Sequence, residues 1–155
     1  MNKISFDTVR NKLETLFNIQ IQNDLKLTPD RIYENLGKMG MELKWIKIEN
    51  WEKFETGNYN ITNSHFINIL FSGINTMNEN VVIITDECFK DKMAYYIDAN
   101  TLTEFIDNYK VNYKMDFFQP FDYIFVFLNG KKIILLHHEG YYSKYSEIKQ
   151  VENSI

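Results

Sequence analysis

The stretch that decides the fold is Tyr123-Ile124-Phe125-Val126-Phe127-Leu128-Asn129-Gly130-Lys131-Lys132-Ile133-Ile134-Leu135-Leu136-His137. Two runs of apolar, β-branched and aromatic residues flank an Asn-Gly pair, which is the strongest short-range signal for a β-hairpin. A type I′ turn needs positive φ at both central residues, and Asn and Gly tolerate that conformation. The sequence therefore predicts antiparallel strands near residues 123–128 and 131–137, joined by a type I′ turn.

Other elements are predicted on the N-terminal side of this hairpin. Residues 81–85 are a β-branched run bounded by polar residues, and residues 94–98 are a second strand candidate. Apolar residues recur at helical spacing in four segments: residues 6–17, the segment after Thr28-Pro29, residues 64–74 and the segment after Thr101, where Thr101 and Glu104 fit a capping box. Residues 41–48 fit a strand, whereas Trp45, Trp51 and Phe54 also fit a helix face over 49–55.

These elements predict one α+β domain spanning residues 1–155. N-terminal helices are expected to pack on a small, mostly antiparallel sheet that includes the C-terminal hairpin. A chain of 155 residues that is 45% hydrophobic can bury a core without disulfides or metal. Residues 146–155 are polar, and we expect them to form a frayed tail.

The composition excludes several classes of function. The chain carries 17 basic and 21 acidic side chains, and a net charge of −4 argues against binding to nucleic acid or to anionic lipid. The single cysteine, Cys88, cannot form an internal disulfide, which fits a reducing cytoplasm. No secretory signal, long apolar segment or phosphate-binding glycine motif occurs, so we expect no membrane partner and no cofactor.

Acidic residues and aromatic rings are concentrated between Glu79 and Asp122. This segment has nine acidic and four basic residues, a net charge of −5, and nine Tyr or Phe residues. Such a surface suits a basic protein partner, because charge speeds the encounter and rings supply buried anchors. An ordinary solvated face over an aromatic core explains the same composition equally well.

Two short groups of residues have the chemistry of a catalytic or metal site. Asp86-Glu87-Cys88 follows a predicted strand, where a carboxylate pair or a cysteine nucleophile would be well placed. His137-His138-Glu139 follows another strand. Neighbouring residues on a strand point to opposite faces, so at most one of the two imidazoles is expected at any single site. Helix capping for the first group and packing for the second are the simpler interpretations.

Three stretches resemble a family of small bacterial immunity proteins, which are encoded beside the toxic domains of contact-dependent growth-inhibition and related polymorphic toxin systems. They are Val81-Val82-Ile83-Ile84-Thr85-Asp86-Glu87-Cys88-Phe89, Asp122-Tyr123-Ile124-Phe125-Val126-Phe127 and Ile134-Leu135-Leu136-His137-His138-Glu139-Gly140-Tyr141-Tyr142. The resemblance covers about half of the chain. It implies a cytoplasmic protein without enzymatic activity that binds one cognate toxin, expected to be a nuclease, and occludes its active site in a 1:1 complex.

The acidic, ring-rich segment supplies most of the candidate toxin-binding residues. These are Asp86, Glu87, Asp91, Tyr95, Tyr96, Asp98, Glu104, Asp107, Tyr113, Asp116 and Tyr142. Two other functions stay open. One is a small metal-dependent or cysteine hydrolase that uses Asp86-Glu87-Cys88 with His137 or His138, and the other is a regulatory module that binds another protein.

Overall fold

The computed structural model describes residues 2–17, 31–32, 34, 44–49, 51, 63–113, 117–118 and 122–146. The strands are β1 (Asn2–Ser5), β2 (Ile46–Lys47), β3 (Asn80–Thr85), β4 (Met93–Asp98), β5 (Tyr123–Phe127), β6 (Lys132–Leu136) and β7 (Tyr141–Ser146). The helices are α1 (Phe6–Phe17), α2 (Asn63–Phe71), α3 (Cys88–Asp91) and α4 (Leu102–Tyr113), with a 3₁₀ turn at Ala99–Thr101. The chain therefore has the predicted α+β class.

Within the described ranges, the strands form one seven-stranded sheet in the order β1-β4-β3-β5-β6-β7-β2. Every neighbouring pair is antiparallel, as predicted. The sheet is wider than expected, because the sequence did not reveal β1 or β7. Both are rich in polar residues, and neither has the continuous apolar run that identified the central strands.

The predicted hairpin is confirmed as β5 and β6, but its predicted turn type is wrong. Tyr123 pairs with Leu136 and Phe127 with Lys132, which leaves a four-residue loop at 128–131. In this loop only Lys131 has positive φ, at 53°. Glu79 anchors the loop. Its carboxylate accepts hydrogen bonds from the backbone N–H of Asn129 at 2.8 Å and of Gly130 at 2.6 Å.

The helices that the structure describes pack on both faces of the sheet. Side chains of residues that pair across neighbouring strands point to the same face of the sheet. A helix that contacts one such residue therefore lies on the face shared by all of its cross-strand partners. On one face, Phe71 of α2 contacts Phe125 edge-on at 4.8 Å. On the opposite face, Phe17 of α1 lies 6.1 Å from the ring of Tyr145. The core therefore has one layer on each face of the sheet, and the N-terminal helix α1 packs in only one of these layers.

Most helix predictions are confirmed where the structure describes the chain. The helices predicted over 6–17 and 64–74 are Phe6–Phe17 and Asn63–Phe71. After Thr28-Pro29, residues 31–32 and 34 are helical, and the rest of that segment lies outside the described residues. Both interpretations of 41–55 hold in part, since Ile46–Lys47 is a strand and Trp51 is helical. Residues 147–155 of the predicted tail also lie outside the described residues.

The predicted capping box at Thr101 and Glu104 is replaced by an earlier cap. The Asp98 carboxylate accepts a hydrogen bond from the backbone N–H of Asn100 at 2.8 Å. The Thr101 hydroxyl donates to the carbonyl of Asp98 at 2.7 Å. A 3₁₀ turn therefore precedes α4, and the cap lies three residues earlier than the capping-box pattern indicates.

Candidate functional site

Polar side chains meet where β3 ends, β5 begins and β6 ends. The last cross-strand pairs at this end join Thr85 to Tyr123 and Tyr123 to Leu136. The residues that follow these pairs are Asp86, Asp122 and His137, and the chain turns immediately afterwards at His138. We call Asp86, Asp122, His137 and His138 the strand-end cluster.

Asp122 is the buried member that links the cluster together. Its Oδ1 accepts hydrogen bonds from the backbone N–H of His138 at 2.7 Å and from the Nδ1 of His138 at 3.0 Å. Its own backbone N–H donates to Oδ2 of Asp86 at 3.1 Å. The contact to the ring makes the His138 Nδ1 a donor, because a carboxylate oxygen beside it can only accept. The carboxylate therefore fixes both the orientation and the tautomer of His138.

The two histidine rings lie on the same side of the chain, which corrects the expectation that they point to opposite faces. Their centroids are 4.1 Å apart and their planes differ by 30°. The alternation of a strand ends at Leu136, and the Gly140 backbone N–H closes the turn on the carbonyl of His137 at 2.9 Å. The Glu139 backbone N–H also donates to Nδ1 of His137 at 3.1 Å. The strand-based argument fails because both histidines lie beyond the strand.

Gly140 makes this turn possible. Its φ of +88° is unfavourable for other residues, and a Cβ there would overlap the indole ring of Trp51. Its carbonyl also accepts a hydrogen bond from the backbone N–H of Ile48 at 2.7 Å. The glycine thus lets a buried tryptophan lie directly under the turn that carries both histidines.

Cys88 is buried and bonded to Thr85, the last residue of β3. Its sulfur accepts from the backbone N–H of Thr85 at 3.4 Å and lies 3.5 Å from the Thr85 hydroxyl. Burial raises the pKa of the thiol above its ordinary value, and the bonds with Thr85 oppose this only in part. A raised pKa disfavours the reactive thiolate. The structure therefore disfavours the alternative in which Cys88 acts as a nucleophile.

A patch of exposed apolar side chains adjoins the cluster. Trp45 and Tyr141 are each 36% exposed, and we call these two residues the ring patch, whereas the exposed Ile46 pairs with Tyr142 and points to the other face of the sheet. The Trp45 ring meets His137 edge-on at 5.8 Å, so the patch and the cluster are continuous. Lys47 covers part of the patch, with its Nζ 4.6 Å from the centroid of the Tyr141 ring and bonded to the carbonyl of Glu139 at 2.7 Å.

The predicted toxin-binding acids do not form one face. Asp86 and Glu87 lie at the cluster end of β3, and Asp91 follows at the end of α3, 3.7 Å from the Lys3 ammonium. Asp98 pairs with Asn80 at the opposite end of the same strand pair, about 17–20 Å away on the rise of six residues. The next predicted acids belong to α4, which starts beyond Asp98: Glu104 and Asp107, both exposed. The side chain of Tyr113 and all of Asp116 lie outside the described residues.

The predicted ring anchors differ in their exposure. Tyr95 is only 5% exposed and packs against Phe105 at 5.2 Å and Tyr109 at 6.2 Å, so its ring belongs to the core and corrects the prediction of a surface anchor. Tyr96 is half-buried on the opposite face. Tyr142 is also half-buried, and the Lys144 ammonium lies 5.9 Å from its ring centroid. Partial burial and the nearby charge of Lys132 lower the pKa of Lys144.

A shallow groove of about 530 Å³ lies at the other end of the sheet, between α1 and the β5–β6 loop. Neutral polar side chains and Lys12 line most of it, together with Tyr96, whose ring centroid lies 5.9 Å from the Lys12 ammonium. No member of the strand-end cluster lines the groove. We assign the candidate site to the cluster and the ring patch because ionisable side chains and exposed rings converge there.

The sequence contained enough information to place Asp122 beside His137. A hairpin centred on Asn129-Gly130 pairs Leu128 with Lys131, which places residue 122 beside His137. The observed register is the same. No comparable signal existed for Trp45, because its place beside His137 depends on pairing between β2 and β7.

The chain matches no protein-family model, no curated protein and no solved structure. Among the described residues, no helix combines the length and the apolar character needed to cross a membrane.

Proposed function

We propose that the chain is an immunity protein that binds and neutralises one cognate bacterial toxin domain in a 1:1 complex. One observation carries the proposal: the three stretches that resemble immunity proteins are neighbours in space. They contain five of the six residues of β3, all of β5, the last three residues of β6 and the first two of β7, and their ends meet at the strand-end cluster. Although they are separated in sequence, the residues at their ends lie together at one end of the sheet.

The ring patch gives this end of the sheet the character of a protein-binding site. Exposed aromatic side chains beside polar groups are typical of binding hot spots, because each ring buries a large area with little loss of side-chain freedom. Trp45 and Tyr141 supply the rings, and Asp86, Glu87 and Glu139 supply negative charge nearby. A toxin nuclease has a basic cleft for its substrate, and an acidic rim with aromatic anchors complements such a cleft.

Co-expression tests the function directly. The toxin domain encoded beside this gene is expressed in a test bacterium with and without the chain. Rescue of growth together with co-purification at 1:1 is the expected result. Growth arrest that the chain does not relieve, or a neighbouring gene that encodes no toxin, would overturn the proposal.

Substitutions in the ring patch test the surface separately from the function. Trp45→Ala and Tyr141→Ala should each weaken toxin binding by about tenfold or more, mainly through faster dissociation. Met77→Ala removes an exposed apolar side chain just before β3 begins, at the opposite end of that strand from the cluster, and is the matched control. Equal affinities for all three variants in surface plasmon resonance would exclude the ring patch as the binding surface.

A charge reversal distinguishes the two ends of the sheet. Glu87→Lys changes an acid at the cluster end, and Glu104→Lys changes one on α4 at the other end. Association with a basic toxin should slow in the first variant and stay unchanged in the second, with the difference shrinking as salt is added. The reverse pattern would move the binding surface to the α4 end.

Hydrolysis is the second candidate function, and the convergence of Asp122 with His137 and His138 favours it. Cys88 has no part in it, because its thiol is buried beside Thr85. The test is release of p-nitrophenol from its acetate and phosphate esters, where a water molecule supplies the oxygen that replaces the phenolate. Turnover that is lost in His138→Ala would support hydrolysis, and an equal rate in the variant would exclude the cluster as its site.

A further inference from the structure

The strand-end cluster contains the ligand set of a transition-metal site. Asp122, His137 and His138 each offer one oxygen or nitrogen atom, and these atoms all lie within 4.8 Å of one another. Two imidazoles and one carboxylate are a common set for Zn²⁺, whereas Mg²⁺ and Ca²⁺ prefer oxygen ligands. The chemistry of these three groups therefore selects a borderline divalent ion.

The distances are compatible with a single ion after small side-chain movements. Bonds of about 2.1 Å in a tetrahedron place neighbouring ligand atoms about 3.4 Å apart. Nδ1 of His138 is already 3.0 Å from Oδ1 of Asp122. The side chain of His138 is 50% exposed, so its ring has room to turn toward an ion.

The framework around the three ligands is fixed. The β5–β6 register places Asp122 beside His137, and the hydrogen bond to Asp86 anchors the Asp122 backbone. Trp45 packs against the ring of His137. Without an ion, the ligand atoms satisfy one another or the backbone, as in the bonds from Nδ1 of His138 to Asp122 and from the Glu139 N–H to His137. An ion would replace these side-chain hydrogen bonds.

We propose that Asp122, His137 and His138 bind one Zn²⁺ ion at the end of the central strands. Three protein ligands leave a fourth position open toward solvent, which is the arrangement of zinc sites that also bind a water molecule or an external ligand. This site does not depend on the proposed toxin-binding function, because it needs only the folded chain.

The test is titration of the untagged, full-length protein with ZnCl₂, with the heat of binding measured by isothermal titration calorimetry. We expect one ion per chain with a dissociation constant in the micromolar range, and a four-coordinate visible spectrum when Co²⁺ replaces Zn²⁺. His137→Ala and His138→Ala should each weaken binding by about tenfold or more. His65→Ala, which removes the histidine of α2, is the matched control and should bind as tightly as the wild type.

Several outcomes would overturn the proposal. The first is the absence of any heat of binding at millimolar Zn²⁺. The second is a loss of affinity in His65→Ala as large as the loss in His137→Ala and His138→Ala. The third is full wild-type affinity in His138→Ala. Asp122→Asn alone is ambiguous because Asp122 is buried, so His138→Ala, whose side chain is half exposed, is the decisive variant. Rescue from a toxin is measured independently, so failure of one proposal leaves the other intact.

Discussion

Glu79 is a buried carboxylate that supports a loop far from it in sequence. Its two oxygens accept three backbone N–H bonds, from Asn80 at 2.9 Å and from Asn129 and Gly130. Because a carboxylate offers only acceptors, it matches these three donors, two of which belong to the loop. The loop adopts this conformation in place of the predicted type I′ turn.

Substitution of Glu79 should therefore destabilise the protein even when its size is kept. Glu79→Gln turns one oxygen into an NH₂ group that faces a backbone donor, and we expect a loss of about 2–4 kcal/mol in the free energy of unfolding. Urea denaturation measures it. Glu104→Gln, on the exposed side of α4, should cost less than about 1 kcal/mol. Equal losses in both variants would show that the loop does not depend on this carboxylate.

Cys88 should be unreactive in the folded protein. Iodoacetamide at pH 8 should alkylate it at least about 100-fold more slowly than in urea, because burial shields the thiol and raises its pKa. As pH rises above the ordinary pKa, the unfolded chain loses the thiol proton first, so the free energy of unfolding should fall with pH. Cys88→Ala should lack this part of the pH dependence. Rapid alkylation of the native protein would contradict the buried position.

The turn between β6 and β7 is the element on which the candidate site depends. Gly140→Ala should destabilise the protein by more than about 2 kcal/mol, since the new Cβ meets both an unfavourable φ and the Trp51 ring. Gly73 has a similar φ of +81°, but a Cβ added there would have no atom within 4 Å, so Gly73→Ala isolates the backbone strain at about 1 kcal/mol. Thermal unfolding measures the loss in both variants. Equal decreases in melting temperature would show that the contact between the new Cβ and Trp51 adds nothing to the backbone strain.

The same elements show which parts of the site the sequence determines. The hairpin register follows from the position of Asn129-Gly130, and it brings residue 122 to His137 whether the loop has two residues or four. The stacking of His137 on His138 does not follow, because it depends on backbone angles after the strand ends. Trp45 reaches the site through pairing with distant β7, and no local pattern encodes that contact.

At the scale of the whole molecule, burial increases toward the middle of the sheet. Every residue of β5 is buried, and its neighbours β3 and β6 are nearly so. In the described part of the chain, β1 and β2 lie at the two edges. Burial of a strand on both faces explains the continuous apolar runs, which made these central strands the easiest to predict. The alternating or polar edge strands lacked that signal.

Hydrogen exchange should follow this gradient. Amides of residues 81–85 and 123–127 should exchange only through global unfolding, whereas those of 2–5 and 46–47 should exchange through local opening, at rates faster by orders of magnitude. Mass spectrometry of peptic fragments resolves these segments. Equal protection at the edges and the centre would indicate that the sheet opens as one cooperative unit.

The pairing of β1 with β4 also affects the order in which the sheet can form during synthesis. Ile4 pairs with Ala94, so the ribosome adds about ninety residues between the two partners. At 5–20 residues per second, β1 waits roughly 5–20 s for β4 to be made. Three of its four residues are polar, Asn2, Lys3 and Ser5, which disfavours pairing with other nascent chains in that interval. β1 therefore cannot join the sheet before β4 has been synthesised.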